Sequence, residues 1–281
     1  MARTFTPSAL IERGIQTKFR KTIWNPFITG VKHYNLVNEG DKIAVCMSGG
    51  KDSALLAKLM QELQKHGEKR FELAFIVMDP GYSEAVRRKI LSNVELLGVP
   101  ATLFNSKIYG IVKNMDGSPC YMCARMRRGH LYKYAMDMGC GKIALGHHFS
   151  DVIETTLMGM LYGAQIQTMM PKLHSRNFPG MELIRPLYRV REDDIISWRD
   201  YNNLEFINCA CPLIENCQVE SGEGGSKRAE VKRLIRSLKK THANVENCIF
   251  KSVHMVNLET IIGYKRDGKK RCFLDDYDDK R

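Results

Sequence analysis

The sequence predicts an α/β protein: a parallel twisted sheet with helices on both faces, extended by helical additions at either end. Two observations carry this. The first is Ile43–Met47, a short apolar run of strand length. It passes through Ser48-Gly49-Gly50-Lys51-Asp52-Ser53 straight into a helical pattern beginning at Ala54. The second is the alternation of strand-like and helix-like segments between Gly40 and Tyr162, which implies parallel strands joined by crossover helices. A chain of 281 residues with 44% hydrophobic and 26% charged content has the composition of a globular protein.

In chain order, residues 1–40 read as an N-terminal extension. Its helical periodicity from Ser8 to Phe19 is broken at Trp24-Asn25-Pro26. Residues 41–218 form the main domain. Strand Ile43–Met47 is followed by helix Asp52–His66, which Gly67 ends. A second strand, Phe71–Met78, stops at Asp79-Pro80-Gly81, and helix Ser83–Leu97 stops at Gly98. Ala101–Phe104 is a third strand. Ser118 caps and Pro119 opens a long helix to Met138, with Gly139 beyond it. Lys142–Leu145 is a fourth strand, and Gly146-His147-His148 leads to helix Asp151–Tyr162. Met181–Pro186 reads as a strand and Glu192–Asn202 as a helix. Residues 219–281 form a C-terminal region: a loop over Glu220–Ser226, a basic helix over Lys227–Lys240 and a charged tail from Asp275.

In open parallel sheets, ligands bind beyond the carboxyl ends of the strands. The glycine loop, Asp79 and the Gly146–Asp151 turn all fall there. Glycines let backbone approach closely, and free N–H groups at a helix start favour an anion, so this loop suits a phosphate chain. It is not a Walker A loop, because Val45 stands where the first glycine belongs and Asp52 follows Lys51. A tight turn without a ligand is the plainer alternative.

The net charge of +12 suits a polyanionic partner such as nucleic acid. No run of eighteen apolar residues appears, so no membrane span is expected. Met1-Ala2-Arg3-Thr4 leads into no apolar signal core, and the protein is expected in the cytosol, where its nine cysteines stay reduced or bind metal. Cys120 and Cys123 stand three apart at a helix start, near Arg125, Arg127 and Arg128. Structural zinc, an iron–sulfur cluster and a redox pair all fit that spacing. Cys209-Ala210-Cys211-Pro212 is the nearest source of a further ligand, with Cys217 a little beyond. Cys46 and Cys140 read as packing residues, and Cys248 and Cys272 carry no spacing signal.

Ser48-Gly49-Gly50-Lys51-Asp52-Ser53 resembles the PP-loop of the ATP pyrophosphatases, whose fold is that of the adenine nucleotide alpha hydrolases. The Cys120–Tyr132 segment, Gly146-His147-His148-Phe149-Ser150-Asp151, Ile184-Arg185-Pro186-Leu187 and Phe206-Ile207-Asn208-Cys209 resemble the tRNA 2-thiocytidine synthetase family, in matching order. The resemblance implies a tRNA sulfurtransferase whose main domain is a PP-loop ATPase and thiolation domain. It would use ATP and Mg²⁺ to adenylylate a cytidine, position 32 of the anticodon loop, and replace its oxygen by sulfur. It implies a [4Fe-4S] cluster on Cys120, Cys123 and Cys209, a sulfur donor such as a cysteine desulfurase or free sulfide, and a homodimer. Carried over to this sequence, Ser48, Gly49, Gly50, Lys51, Asp52 and Ser53 would hold the phosphates, with Met78, Asp79, Gly146 and His147 near the rest of the nucleotide. Asp151 would bind metal or activate the base, and Arg127 would stabilise developing charge. Ser150 departs from the family's His-His-x-Asp-Asp pattern and leaves Asp151 as the sole carboxylate there; a plain helix cap is its alternative. Arg125, Arg128, Lys172, Arg176, Arg185 and Arg189, and the basic helix, are candidates for RNA contact. The same chemistry on uridine, a cluster-free amide-forming ligase, and a regulatory nucleotide-binding protein with structural zinc are the rival readings.

Overall fold

The computed structural model describes residues 5–112, 119–207 and 226–277; the side chains of 119–121 and 276 fall outside that description. Helix α1 (Pro7–Gln16) leads through a π-helical turn, Arg20–Trp24, into α2 (Asn25–His33). The break expected at Trp24-Asn25-Pro26 falls earlier: α1 ends at Gln16, and Pro26 sits in the first turn of α2, where its missing N–H costs no hydrogen bond. Strand β1 (Lys42–Met47) and helix α3 (Lys51–His66) enclose the glycine loop. Then come β2 (Glu72–Asp79), α4 (Glu84–Leu96), β3 (Ala101–Asn105), a short α5 (Ile108–Val112), α6 (Pro119–Asp137), β4 (Lys142–Ala144) and α7 (Phe149–Gly163). Strands β5 (Lys172–His174) and β6 (Glu182–Ile184) precede α8 (Glu192–Tyr201). The chain closes with α9 (Lys227–Thr241), α10 (Val245–Ser252) and a hairpin of β7 (Gly263–Arg266) and β8 (Lys269–Cys272).

The main sheet has the order β3-β2-β1-β4-β6-β5. Its strands are parallel except β5, which pairs antiparallel with β6 at the edge. Val45 of β1 faces Phe75 of β2 on one side and Ala144 of β4 on the other. The alternation along β1 serves two layers. Ile43, Val45 and Met47 pack with α3 residues Leu55, Leu56 and Leu59, while Ala44 and Cys46 pack with Tyr132 and Ala135 of α6. The expected helices on both faces are therefore present.

The N-terminal segment belongs to the first of these layers: Ile11, Ile15, Phe19, Ile23 and Phe27 are buried with the α3 leucines. Lys58 of α3 is fully buried and donates to Glu12 Oε1 at 2.6 Å and to the Leu97 carbonyl at 2.9 Å, fixing α1 across α3 and the end of α4. At the other end, Val231 and Ile235 of α9 and Phe250 of α10 pack on Phe149, Val152 and Ile153 of α7. No helix among the described residues is long and apolar enough to cross a membrane.

Candidate active site

Strand β1 has β2 on one side and β4 on the other, so the loops after β1 and β4 leave a crevice between them, the place where such sheets bind ligands. The loop after β1 is built for close approach. Gly49 has φ +85°, and a Cβ there would fall 2.8 Å from both Ile207 Cδ1 and Ile90 Cγ1. Ser53 closes the loop: its Oγ accepts from Ser48 N at 3.1 Å and donates to the Gly50 carbonyl at 3.0 Å. The first turn of α3 then presents free N–H groups. Gly146, after β4, lies against that turn; a Cβ on it would meet Asp52 C and Ser53 N at 3.1 Å.

A cavity of about 290 Å³ opens at this point. Its lining includes Ser48, Asp52 and Ser53 of the loop, Met78 at the end of β2, Arg127 of α6, and Gly146, His147 and Asp151 after β4. These eight residues, all singled out from the sequence, converge from four segments of the chain, whereas Lys51 is outside the lining, its ammonium turned to Asp52 and Glu192. Gly49 and Gly50 line the packed rear of the loop, next to Ile90 and Phe206. Asp79 is buried and fully engaged: Oδ1 accepts from Gly81 N and Tyr82 N, and Oδ2 pairs with Arg87 at 2.7 Å. Burial raises its pKa, but those hydrogen bonds and Arg87 outweigh it, so the carboxyl stays below its ordinary range. It shapes the loop after β2.

The lining carries unmet hydrogen-bonding capacity. Arg127 Nε and His147 Nδ1 are buried without a hydrogen bond. Asp52 Oδ1 also accepts none, although Lys51 Nζ lies 3.2 Å away as an ion-pair partner. An orphaned buried polar group costs about 1–3 kcal/mol, so this arrangement is suited to a polar ligand carrying both donors and acceptors. Burial, then Arg185, lowers the His147 pKa to about 4, with His148 and Arg228 acting in the same direction, so its imidazole is neutral at neutral pH. Arg185, expected at the surface, is instead buried at the end of β6 and donates to the Met170 carbonyl. Burial, then Arg128, lowers its pKa to about 10, and it remains a cation.

Asp151 accepts from His148 N at 3.0 Å, completing a capping box that starts α7 two residues earlier than the sequence suggested. Its Oδ1 pairs with Arg228 of α9 at 2.9 Å. Helix cap and cavity lining are thus one residue. Ser150 Oγ, in place of the family's first aspartate, accepts from Glu192 N at the start of α8.

Sequence reasoning missed an ionic network behind the loop. Glu192 lies 3.4 Å from Lys51 Nζ and 2.5 Å from Lys232 Nζ. Burial raises the Glu192 pKa, and Lys232, then Lys51, more than offset it. Arg228 spans Asp151 and the buried Glu154. One signal was available: Arg228 and Lys232 are four apart, on the α9 face that carries the apolar Val231 and Ile235.

Cys123 is a free, buried thiol packed with Met78, Tyr109 and Val112, within hydrogen-bonding reach of the Arg127 guanidinium. It sits beside the cavity, at the carboxyl end of β2. Cys120 lies one turn earlier in α6, and its side chain is outside the description; Cys209, Cys211 and Cys217 lie outside the described residues altogether. Among the described residues no group of three potential ligands is gathered. Cys46 and Cys140 are buried in the sheet–α6 layer, and burial pushes both thiols up, as befits packing residues.

Residues 15–211 match the PP-loop domain family. The chain is 34% identical to the tRNA-cytidine(32) 2-sulfurtransferase of Geotalea uraniireducens, over 87% of this chain and 94% of that protein. It is 35% identical to the protein of the same name from Delftia acidovorans, over 89% of this chain and 78% of the relative. Among solved structures, the U34-tRNA thiolase NcsA from Methanococcus maripaludis with its [4Fe-4S] cluster superposes with a TM-score of 0.64 at 22% identity, covering 86% of this chain and 80% of that one. That likeness supports the PP-loop α/β fold.

Proposed function

The chain belongs to the tRNA-cytidine(32) 2-sulfurtransferase family of PP-loop proteins, and from that premise we propose that it is an ATP-dependent tRNA sulfurtransferase. It adenylylates O2 of cytidine 32 in the anticodon loop and replaces that oxygen by sulfur, releasing pyrophosphate and AMP. The observation carrying this reading is the cavity at the β1–β4 divide, where Arg127 Nε and His147 Nδ1 lack partners and Cys123 adjoins.

The cavity's donor and acceptor set fits a nucleotide. The N–H groups at the start of α3 and the Lys51 ammonium would take up charge on the leaving pyrophosphate. Asp52, whose Oδ1 accepts no hydrogen bond, is one of two carboxylates the cavity offers to Mg²⁺, Asp151 being the other. Met78 and the glycine turn at Gly146 would border the adenosine. Asp79, bonded to Gly81, Tyr82 and Arg87, acts through the loop it shapes. Arg127, cationic and half-buried, would stabilise negative charge as the base oxygen attacks the α-phosphorus. Asp151, held by His148 and Arg228, remains a candidate for metal binding or base activation.

A free thiol at Cys123, with Cys120 one helical turn away, fits a cluster site that Cys209 would complete. When bound, a [4Fe-4S] cluster supplies an iron position at which sulfide becomes the nucleophile. With sulfide as donor the exchange is redox-neutral: a C2–S bond forms, the C2–O bond breaks, and the oxygen leaves as part of AMP. A cysteine desulfurase delivers persulfide sulfur, which would serve only with a two-electron reductant, such as a dithiol going to a disulfide, to cleave the S–S bond and release sulfide. The enzyme would act in the cytosol as a homodimer. Anaerobically purified protein incubated with tRNA, ATP, Mg²⁺ and sulfide should yield 2-thiocytidine on nucleoside mass analysis. A 2-thiouridine product would move the reaction to another base, and no thionucleoside would overturn the reading.

A further inference from the structure

We propose that the C-terminal ribbon β7–β8 is an RNA-binding element that takes phosphates of the tRNA, an inference that rests on the sulfurtransferase reading. Every residue of both strands is exposed. The register sets Lys265 opposite Lys270, Arg266 opposite Lys269 and Tyr264 opposite Arg271. Like charges directly opposite each other destabilise a strand pair, and a two-stranded ribbon is marginal to begin with. Such crowding is relieved by a polyanion.

The protein itself supplies little relief. Arg266 pairs with Asp267 at 3.8 Å, with both side chains over 80% exposed. Among the described residues, no carboxylate pairs with Lys265, Lys269, Lys270 or Arg271. Helix α9, the more obvious basic element, is different. Its Arg228, Lys232 and Lys239 are held by Asp151 and Glu154, by Glu192, and by Asp193 and Glu246. Three of its seven cations are held in this way among the described residues, against one of five in the ribbon, and that one only by its exposed neighbour Asp267.

Strand alternation places Tyr264, Arg266, Lys269 and Arg271 on one face, so cations and an aromatic ring are presented together. Exposed Phe273 and Tyr277 follow directly, their rings 6.1 Å apart. Cations for phosphates beside exposed rings for bases is the chemistry that recognises unpaired RNA. A second copy of the same ribbon would be repelled.

The test uses the full chain, a labelled tRNA transcript and a series of salt concentrations. In the combined variant Lys265→Gln, Arg266→Gln, Lys269→Gln, Lys270→Gln and Arg271→Gln, tRNA affinity should fall about tenfold or more, and the slope of log affinity against log salt should drop by about 2 or more. ATP affinity should not change. Unchanged tRNA affinity and slope, while the wild type binds and thiolates tRNA, would overturn the ribbon assignment and leave the sulfurtransferase reading intact. A variant that keeps its tRNA affinity but sediments as a smaller species would make the ribbon a subunit contact and overturn it too. A wild type that neither binds nor thiolates tRNA would remove both.

Discussion

Substituting Gly49 by alanine perturbs the phosphate loop at its tightest point. Two costs follow from the geometry. The φ of +85° lies in the left-handed region, where a side chain costs about 1 kcal/mol. The new methyl would also sit 2.8 Å from Ile207 Cδ1 and from Ile90 Cγ1, well inside the ~3.5–4.0 Å of ordinary carbon contacts. Those neighbours are side chains and can shift, so the overpacking cost falls in the range of about 1–3 kcal/mol. Together the loss is about 2–4 kcal/mol. It should appear as a lower urea midpoint at unchanged slope, with weaker ATP binding by equilibrium dialysis. Adding Ile207→Ala removes one clash but not the backbone strain. The double variant should therefore be less destabilised than the two single effects combined, by about 1 kcal/mol. A Gly49→Ala protein within about 0.5 kcal/mol of wild type, binding ATP equally well, would refute the reasoning.

His147 links pH to stability. Burial and Arg185 lower its pKa to about 4, so as pH falls below about 6.5 the unfolded chain takes up the proton first. Stability is undiminished above about 6.5 and is lost progressively as pH falls toward about 4. His147→Gln should flatten the decline of the urea midpoint over that window; an unchanged decline would contradict the burial argument. Arg228→Gln should destabilise by about 1–3 kcal/mol in urea titrations, because Glu154 is left buried and unpaired, while solvent screening at the half-exposed arginine keeps the loss below that of a fully buried pair. Equal midpoints for variant and wild type would show that α9 is not held there by charge. Alanine at Cys120, Cys123 or Cys209 should each abolish iron binding and thiolation while preserving ATP affinity, and full activity in all three would defeat the cluster assignment.

The β1–loop–α3 unit was legible because an apolar run, a glycine turn and a helical pattern adjoin in sequence. The convergence of the loops after β1, β2 and β4 followed from the α/β rule alone. Helix α7 begins two residues before the point its sequence pattern marks, because His148 caps it and histidine is not among the residues that usually signal a helix start. Strand β5, three residues long, is too short for periodicity to register. The β7–β8 hairpin did carry its turn signal: Asp267-Gly268 has φ of +51° and +80°, as a two-residue turn with both central residues left-handed requires. Its strands are charged rather than alternating, which hid them. Glu192, Arg228 and Lys232 were invisible as site residues, because their meeting depends on α8 and α9 docking behind the loop.

The central claim is that the base oxygen itself attacks the α-phosphorus of ATP and departs with AMP. Transfer RNA carrying ¹⁸O at C2 of cytidine 32 tests it in one turnover. The account predicts the label in the phosphate of AMP and none in pyrophosphate. Label in pyrophosphate, or lost to water with AMP unlabelled, would contradict it.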